Sequence, residues 1–428
     1  MTVTAAPPAI DVRRVQRHTL GLLSCTQIIG GVGVATGVSV GALLAAEMAG
    51  PAISGLAGSC AVIGAALVAI PATRIMRSRG RRPGLAFAYL VGVVGALLVV
   101  VAALADSVPL LLFGTLLFGG SSAANLQARY AAIDLAEPDR RARQLSLVVW
   151  VTTVGVVLGP NVAPLANQFA VDRGFHEYAG PYVLSAIAFG LAALLLTLLL
   201  RPDPLLLART MEKADETAAP VVRGVWRDAA RTVRASPGAR LGLAAVAVGH
   251  IVMVGVMSMT PIYIGGYVHE HGDQLRIVGL VLSMHVMGMY ALSPLVGWLT
   301  DRLGARRVIF GAIVVLLGAC AVAGSASDTT WRLSVGMTTL GIGWSGMMIA
   351  GSTLLSSSVS IERRPAVQGL SDVTMGVAGA SAGALAGVIV DFFGYPTLAL
   401  LAAIATLPLL ALVLRRLPVA GGTLAECD

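Results

Sequence analysis

The sequence predicts an all-α integral membrane protein with twelve transmembrane helices in two six-helix halves. Three observations predict it. Of 428 residues, 56% are apolar and only 12% are charged, against about 25% charged in an ordinary soluble domain. Apolar runs of roughly 20 residues, enough to cross ~30 Å of hydrocarbon, recur along the whole chain. The cations alternate from one connecting segment to the next. Mean hydropathy is +0.83. These figures exclude a disordered chain and a nucleic-acid-binding domain, and they argue against a soluble enzyme. Few aromatics (5%) and many glycines (50) suit helices that pack closely in lipid.

In order, the apolar runs lie at about 20–46, 51–73, 84–105, 109–132, 145–169 and 179–200. The second six lie at about 241–267, 276–299, 307–326, 332–357, 366–390 and 396–414. With the N-terminus inside, the inner segments collect 27 of the 30 cations. The outer loops hold Arg173, Arg276 and Arg332. The positive-inside rule then places both termini in the cytoplasm. The net charge of +8 is therefore topological and gives no support to a nucleic-acid partner. All cations but Lys213 are Arg, which reads as coding bias in a GC-rich genome.

Residues 1–19 form a basic cytoplasmic segment. The apolar run after them is too long for a signal-peptide core and reads as an uncleaved first span. Residues 20–200 form the first half, 201–239 a cytoplasmic central loop, 240–414 the second half, and 415–428 a cytoplasmic tail. Within the loop, Val221 to Val233 can form an amphipathic helix on the inner membrane face. Cys25, Cys60, Cys320 and Cys427 are far apart and show no disulfide or zinc spacing. The first three read as small buried residues, with Cys25 open to service as an extra soft ligand.

The halves look duplicated. Gly297-Trp298-Leu299-Thr300-Asp301-Arg302-Leu303-Gly304-Ala305-Arg306-Arg307 joins spans 8 and 9. An offset of 224 maps it onto Thr73 to Pro83, between spans 2 and 3. The same offset maps Gly155 and Gly159 onto Gly379 and Gly383. Six spans per copy give both copies one orientation, with a path between them near the bilayer midplane.

The 297–307 loop resembles the loop signature of the major facilitator superfamily. Gly155-x-x-x-Gly159-Pro160 resembles the glycine–proline motif of exporters in that superfamily. The resemblance covers all twelve spans and implies a major facilitator fold and a transporter. It implies gating roles for Gly297, Asp301, Arg302 and Gly304, against the plainer reading of a positive-inside turn. Physically, Asp301 suits a helix N-terminus or an Arg at the inner face. The first-half loop departs from the pattern, with Arg77 where the family has an acid.

Spans 7 and 8 carry a further pattern. Six of fourteen Met fall between 253 and 289. Met253 with Met257, and His285 with Met289, are spaced i,i+4 and so share helix faces. In antiparallel helices, Met253 pairs in depth with Met289, and Met257 with His285. Three thioethers and an imidazole form a soft, uncharged ligand set suited to Cu(I). Pro261 and Pro294 should kink the two helices close by. These residues resemble the paired motifs of the CcoA-like copper importers, a subgroup of the same superfamily. The resemblance implies copper contacts at Met253, Met257, His285 and Met289, and import. The competing reading of the same residues is plain packing, since Met is a flexible core filler.

Other polar residues stay open in role. Asp372 in span 11 and His250 in span 7 are candidates for proton coupling; the alternative for Asp372 is a helix-end partner for Arg363 or Arg364, and those for His250 are packing and a metal role. His269 and His271 flank Glu270 in an outer loop, for cation capture or plain solvation. Gln127, Arg129 and Asp134 at the inner end of span 4 read as interface anchors, gate partners or substrate contacts. Asn125 and Asn161 either line a cavity or join helices. No nucleophile–base pair, zinc-protease motif or phosphate loop appears, so no enzyme is expected. The leading expectation is an alternating-access carrier importing copper across a bacterial inner membrane. The alternative is a proton-coupled exporter of drugs or small metabolites. No prosthetic group is expected, copper being the cargo. Partners are a small-molecule or metal-ion substrate and the lipid bilayer, and the chain is expected to act as a monomer.

Overall fold

A computed structural model describes residues 11–49, 51–174, 176, 179–213, 225–267, 271–327 and 329–415. The first half comprises α1 (Val12–Ala49), α2 (Pro51–Arg79), α3 (Arg81–Leu104), α4 (Val108–Ala131), a 3-10 turn (Pro138–Arg140), α5 (Arg141–Val171) and α6 (Ala179–Leu199). Two short helices follow, α7 (Pro204–Lys213) and α8 (Val225–Ala235). The second half comprises α9 (Pro237–Tyr267), α10 (His271–Tyr290), α11 (Ser293–Leu303), α12 (Ala305–Gly324), α13 (Thr330–Ser357), α14 (Arg364–Ile404) and α15 (Leu407–Leu414).

Eleven described stretches are long and apolar enough to cross a membrane. The last, Arg364–Leu414, has 51 residues. As one helix it would run ~75 Å, more than twice the hydrocarbon thickness. It contains two crossings. Gly394 breaks the helix at φ 79°, a region glycine enters without Cβ strain. The contacts place the reversal there. Pro396 and Ala399 lie against Gly324 at one end of α12. At the other end, Arg306 Nε donates to the Val413 carbonyl (2.8 Å). Twelve crossings result.

The eighth crossing is broken. α10 stops at Tyr290, and α11 restarts at Ser293 with Pro294 in its first turn. Pro294 has no N–H for the Tyr290 carbonyl, so the ladder cannot continue. Pro261 lies within α9, which stays helical on both sides of it. The two matching loops turn alike, at Gly80 (φ 93°) and Gly304 (φ 88°), one offset apart.

Two apolar cores form, one per half. Leu23, Leu85, Val99, Leu111 and Phe189 belong to the first. Val252, Val256, Ile313, Leu316 and Met337 belong to the second. Without a hydrophobic drive between helices in lipid, close approach of small residues carries the packing. A Cβ on Gly155 of α5 would lie 2.8 Å from the Gly31 backbone of α1. One offset away, Gly379 of α14 lies against Val254 of α9. The glycines of the 155–159 motif therefore seat α5 on α1.

The central helices are held by protein. Ala229 and Val233 of α8 are buried against Leu355, Ala366 and Val367. The amphipathic helix expected on the membrane surface thus docks on the second half, and residues 221–224 lie outside the described ones. Asp203 caps two helices. It accepts from the Leu205 and Leu206 amides of α7 and from the Arg82 amide of α3.

Candidate functional site

We call the side bearing Arg13, Arg79, Arg140 and Arg306 the basic face. The halves are bolted together beside it, where α2 meets α14 and α5 meets α11. Small residues allow the approach. A Cβ on Gly297 of α11 would strike Ser146 Oγ and come within 2.7 Å of the Ala142 carbonyl. A Cβ on Gly369 of α14 would lie 2.8 Å from Thr73 of α2. Thr73 and Gly297 are one offset apart, so the two contacts are pseudo-symmetric. Ile133, Leu145 and Val149 pack with Val296 and Ile349 in a small apolar seal between them.

Asp301 works at this seam. Its Oδ1 accepts from the Ala142 amide (2.8 Å) and its Oδ2 from the Arg143 amide (2.9 Å). Both amides belong to the first turn of α5, whose free N–H groups and positive dipole end favour a carboxylate. Arg143 Nε adds a third contact (3.4 Å). The pseudo-symmetric position is Arg77, so the equivalent carboxylate clamp on α14 cannot form. Arg302 instead lies out over the Trp298 ring, 5.1 Å from its centroid.

A buried polar network does the rest. Arg81 grips Asp134 with two parallel bonds, Nε to Oδ2 (2.7 Å) and Nη2 to Oδ1 (3.1 Å), and both side chains are fully buried. Its Nη2 also donates across the halves to Gln368 Oε1 (2.7 Å), and its Nη1 to Gln127 Oε1 (3.4 Å). Gln127 Nε2 then donates to Asp372 Oδ2 (2.7 Å), and Arg129 Nη2 to Asp372 Oδ1 (2.6 Å). Thus α4 holds α14 of the other half through the Arg129–Asp372 pair, and Arg81 of α3, itself paired with Asp134, holds it through Gln368. Removing one partner of such a pair leaves a buried charge, at about 3–5 kcal/mol. The partner of Asp372 is Arg129, not Arg363 or Arg364. Arg81 was hidden in a run of arginines that reads as topology. Its replacement by Ala305 at the matching position is the one sequence sign of a special role.

The four candidate metal residues are partly gathered. Met253 and Met289 are buried in one cluster with Trp344, Met348 and Met375, and Met257 packs against it. His285 is not part of that cluster and is bonded to α13. Its Nδ1 bonds the Met337 carbonyl (2.8 Å). A carbonyl only accepts, so Nδ1 carries the proton and Nε2 bears a lone pair. That Nε2 is buried without a partner. Among the described residues, no three His, Cys, Asp or Glu gather to hold an ion.

His250 accepts from Trp344 Nε1 through its Nδ1 (3.1 Å). Trp344, Met348 and Met375 were not singled out in the sequence, because they lie far along the chain from spans 7 and 8. Asn125 takes a helix-joining role, accepting from Tyr89 Oη (2.6 Å). Asn161 bonds back to the Val157 carbonyl of its own helix. Cys320 is buried as expected, but Cys60 is half-buried and Cys25 exposed. His269, Glu270 and Cys427 lie outside the described residues, as does the side chain of His271.

Three comparisons bear on this arrangement. The Major Facilitator Superfamily model matches residues 20–272 and 247–425. The chain is 37% identical over 403 residues to the MFS-type transporter YdeG of Bacillus subtilis, covering 94% of this chain and 92% of that one. It is 28% identical over 406 residues to the riboflavin transporter RfnT of Brucella anthropi, covering 94% and 96%. Among solved structures, the E. coli fucose:proton symporter FucP shares the fold at a TM-score of 0.66 and 14% identity, over 92% of this chain and 97% of that one.

Proposed function

The chain belongs to the major facilitator superfamily, and we propose that it imports a small aromatic solute together with protons by alternating access. It is a multi-pass membrane secondary transporter and not an enzyme. The observation that carries the proposal is the buried Arg129–Asp372 pair joining the halves. An ionisable pair buried between two bodies can hold one state and release another when its charge changes. The basic face is then the cytoplasmic face of a bacterial inner membrane, with both termini inside. Sealed there, the carrier receives its solute from the opposite side. Asp372 carries the proton, while Asp301, Gly297, Gly304 and Arg302 form the gate region. The aromatic character of the solute rests on Trp344 and Tyr290, whose rings meet edge to face at 5.9 Å. The riboflavin relative supports a flat heterocycle of moderate size.

Proteoliposomes loaded with a pH dye test the coupling. A panel of flat aromatic metabolites, riboflavin first, should give solute-dependent proton entry with the native chain and none with Asp372→Asn. Solute uptake without proton entry, or equal entry in the variant, would contradict the coupling role.

A second reading is copper import, favoured by the buried lone pair of His285 Nε2 on α10, the helix that also carries Met289 of the thioether cluster. A ligating imidazole is commonly held this way, its other nitrogen bonded to a carbonyl. Copper uptake by cells should then fall to background in both Met257→Ala and His285→Ala at matched abundance. Uptake by the native chain no greater than in empty-vector cells would remove this reading.

A further inference from the structure

Arg129 uses only part of its donor set. Nη2 serves Asp372 Oδ1 and Tyr130 Oη, while Nε is buried with no partner. A buried guanidinium N–H left unpaired is costly and marks a place where an acceptor belongs. Its surroundings follow from helix geometry. Leu126 lies three residues earlier on the same face of α4 and packs into the Met253, Met289, Trp344, Met348 and Met375 cluster. Met375 lies three residues after Asp372 on α14, which runs away from the basic face, and belongs to the same cluster. The ion pair is therefore the floor of that cluster, one turn nearer the basic face. Tyr290 of α10 packs against the same cluster as Leu126. An aromatic wall thus stands beside one unsatisfied cationic donor, between the two halves.

Charge balance narrows the ligand. In the sealed state Asp372 neutralises Arg129. Once Asp372 takes a proton, Arg129 becomes a lone buried cation, which a membrane interior does not tolerate without a partner. An incoming anion is the replacement. Resting on the carrier reading above, we propose that the cargo is a flat aromatic monoanion. Its ring lies against Trp344 and Tyr290, its oxygen anion takes the free N–H of Arg129, and one proton travels with it on Asp372. The moving set is then neutral. The ionisable groups around Asp372 are Arg129 and Tyr130 on α4, Arg81 on α3 with Asp134 beyond it, His250 on α9 and Tyr290 on α10. The α2 and α13 helices bring uncharged Thr73 and Ser356 to this part of α14. The charges of α8 (Asp228, Arg231) and α12 (Arg306, Arg307) lie at the basic surface.

The test is a binding measurement on purified protein in nanodiscs. Trp344 is kept as the single tryptophan, with Trp150, Trp226, Trp298 and Trp331 replaced by Phe. The probes are para-nitrobenzoate, para-nitrobenzamide and nitrobenzene, which quench tryptophan on contact. In mildly acidic buffer, para-nitrobenzoate should quench at a concentration about tenfold or more below the other two, and the preference should fade in alkaline buffer. Arg129→Gln should abolish the preference, and Asp372→Asn should keep it at both pH values. Calorimetry on the unsubstituted chain gives the same comparison if the single-tryptophan chain does not fold. Equal binding of the three probes, or none, overturns the proposal. Such a failure leaves the carrier reading standing if uncharged aromatics still drive proton entry into proteoliposomes.

Discussion

Arg81 and Asp134 show how much can rest on two side chains. Each is fully buried, and each meets the other through two bonds. Arg81→Met leaves Asp134 as an unpaired buried charge and should cost about 3–5 kcal/mol. Arg81→Met with Asp134→Leu removes both charges and should recover most of that. Thermal unfolding in detergent checks this. Equal losses in the single and double variants would contradict the account. The same residues mark a limit of sequence reading. Asp134 and Arg129 stood out as acids and bases near a span end. Arg81 did not, because an inner-loop arginine and a buried one look alike until α3 is placed against α4. Asp372 was legible as a lone acid within a span, but its partner came from another half of the chain.

At the scale of elements, glycine positions decide which helices can touch. Gly297 brings α11 onto α5 so that Asp301 reaches the first turn of α5. Gly297→Leu should therefore weaken the seal at the basic face. A cysteine at Ser146, buried in the native chain, should then react several-fold faster with a polar thiol reagent. Unchanged reactivity would mean that the seam tolerates the side chain. This loop was readable from its sequence because its glycines and its acid keep fixed spacing. The break in the eighth crossing was readable from Pro294. The reversal at Gly394 agrees with the separate spans 366–390 and 396–414 of the sequence. The docking of α8 was not readable, since an amphipathic stripe fits a lipid surface and a protein surface equally well.

At the scale of the whole molecule, duplication explains the architecture and departures from it explain the asymmetry. The paired turns at Gly80 and Gly304 and the paired contacts at Thr73 and Gly297 follow one offset. Arg77 breaks the pattern, so one half clamps its neighbour through Asp301 and the other relies on buried ion pairs. Twelve crossings and two halves follow from apolar length and arginine placement. The solute's chemistry does not, because Trp344, Tyr290, Met253 and Met375 come from four helices and meet only after folding. On the mechanism proposed above, the Asp372 pair governs which face is open. Spin labels on Arg140→Cys and Arg302→Cys report the basic face, and labels on Asp106→Cys and Ser327→Cys report the opposite one, in a chain lacking its four native cysteines. Pulsed electron resonance should show one short basic-face distance in the native lock. With Asp372→Asn, a longer basic-face distance should appear while the opposite-face distance shortens. Both distances unchanged in Asp372→Asn would contradict the account.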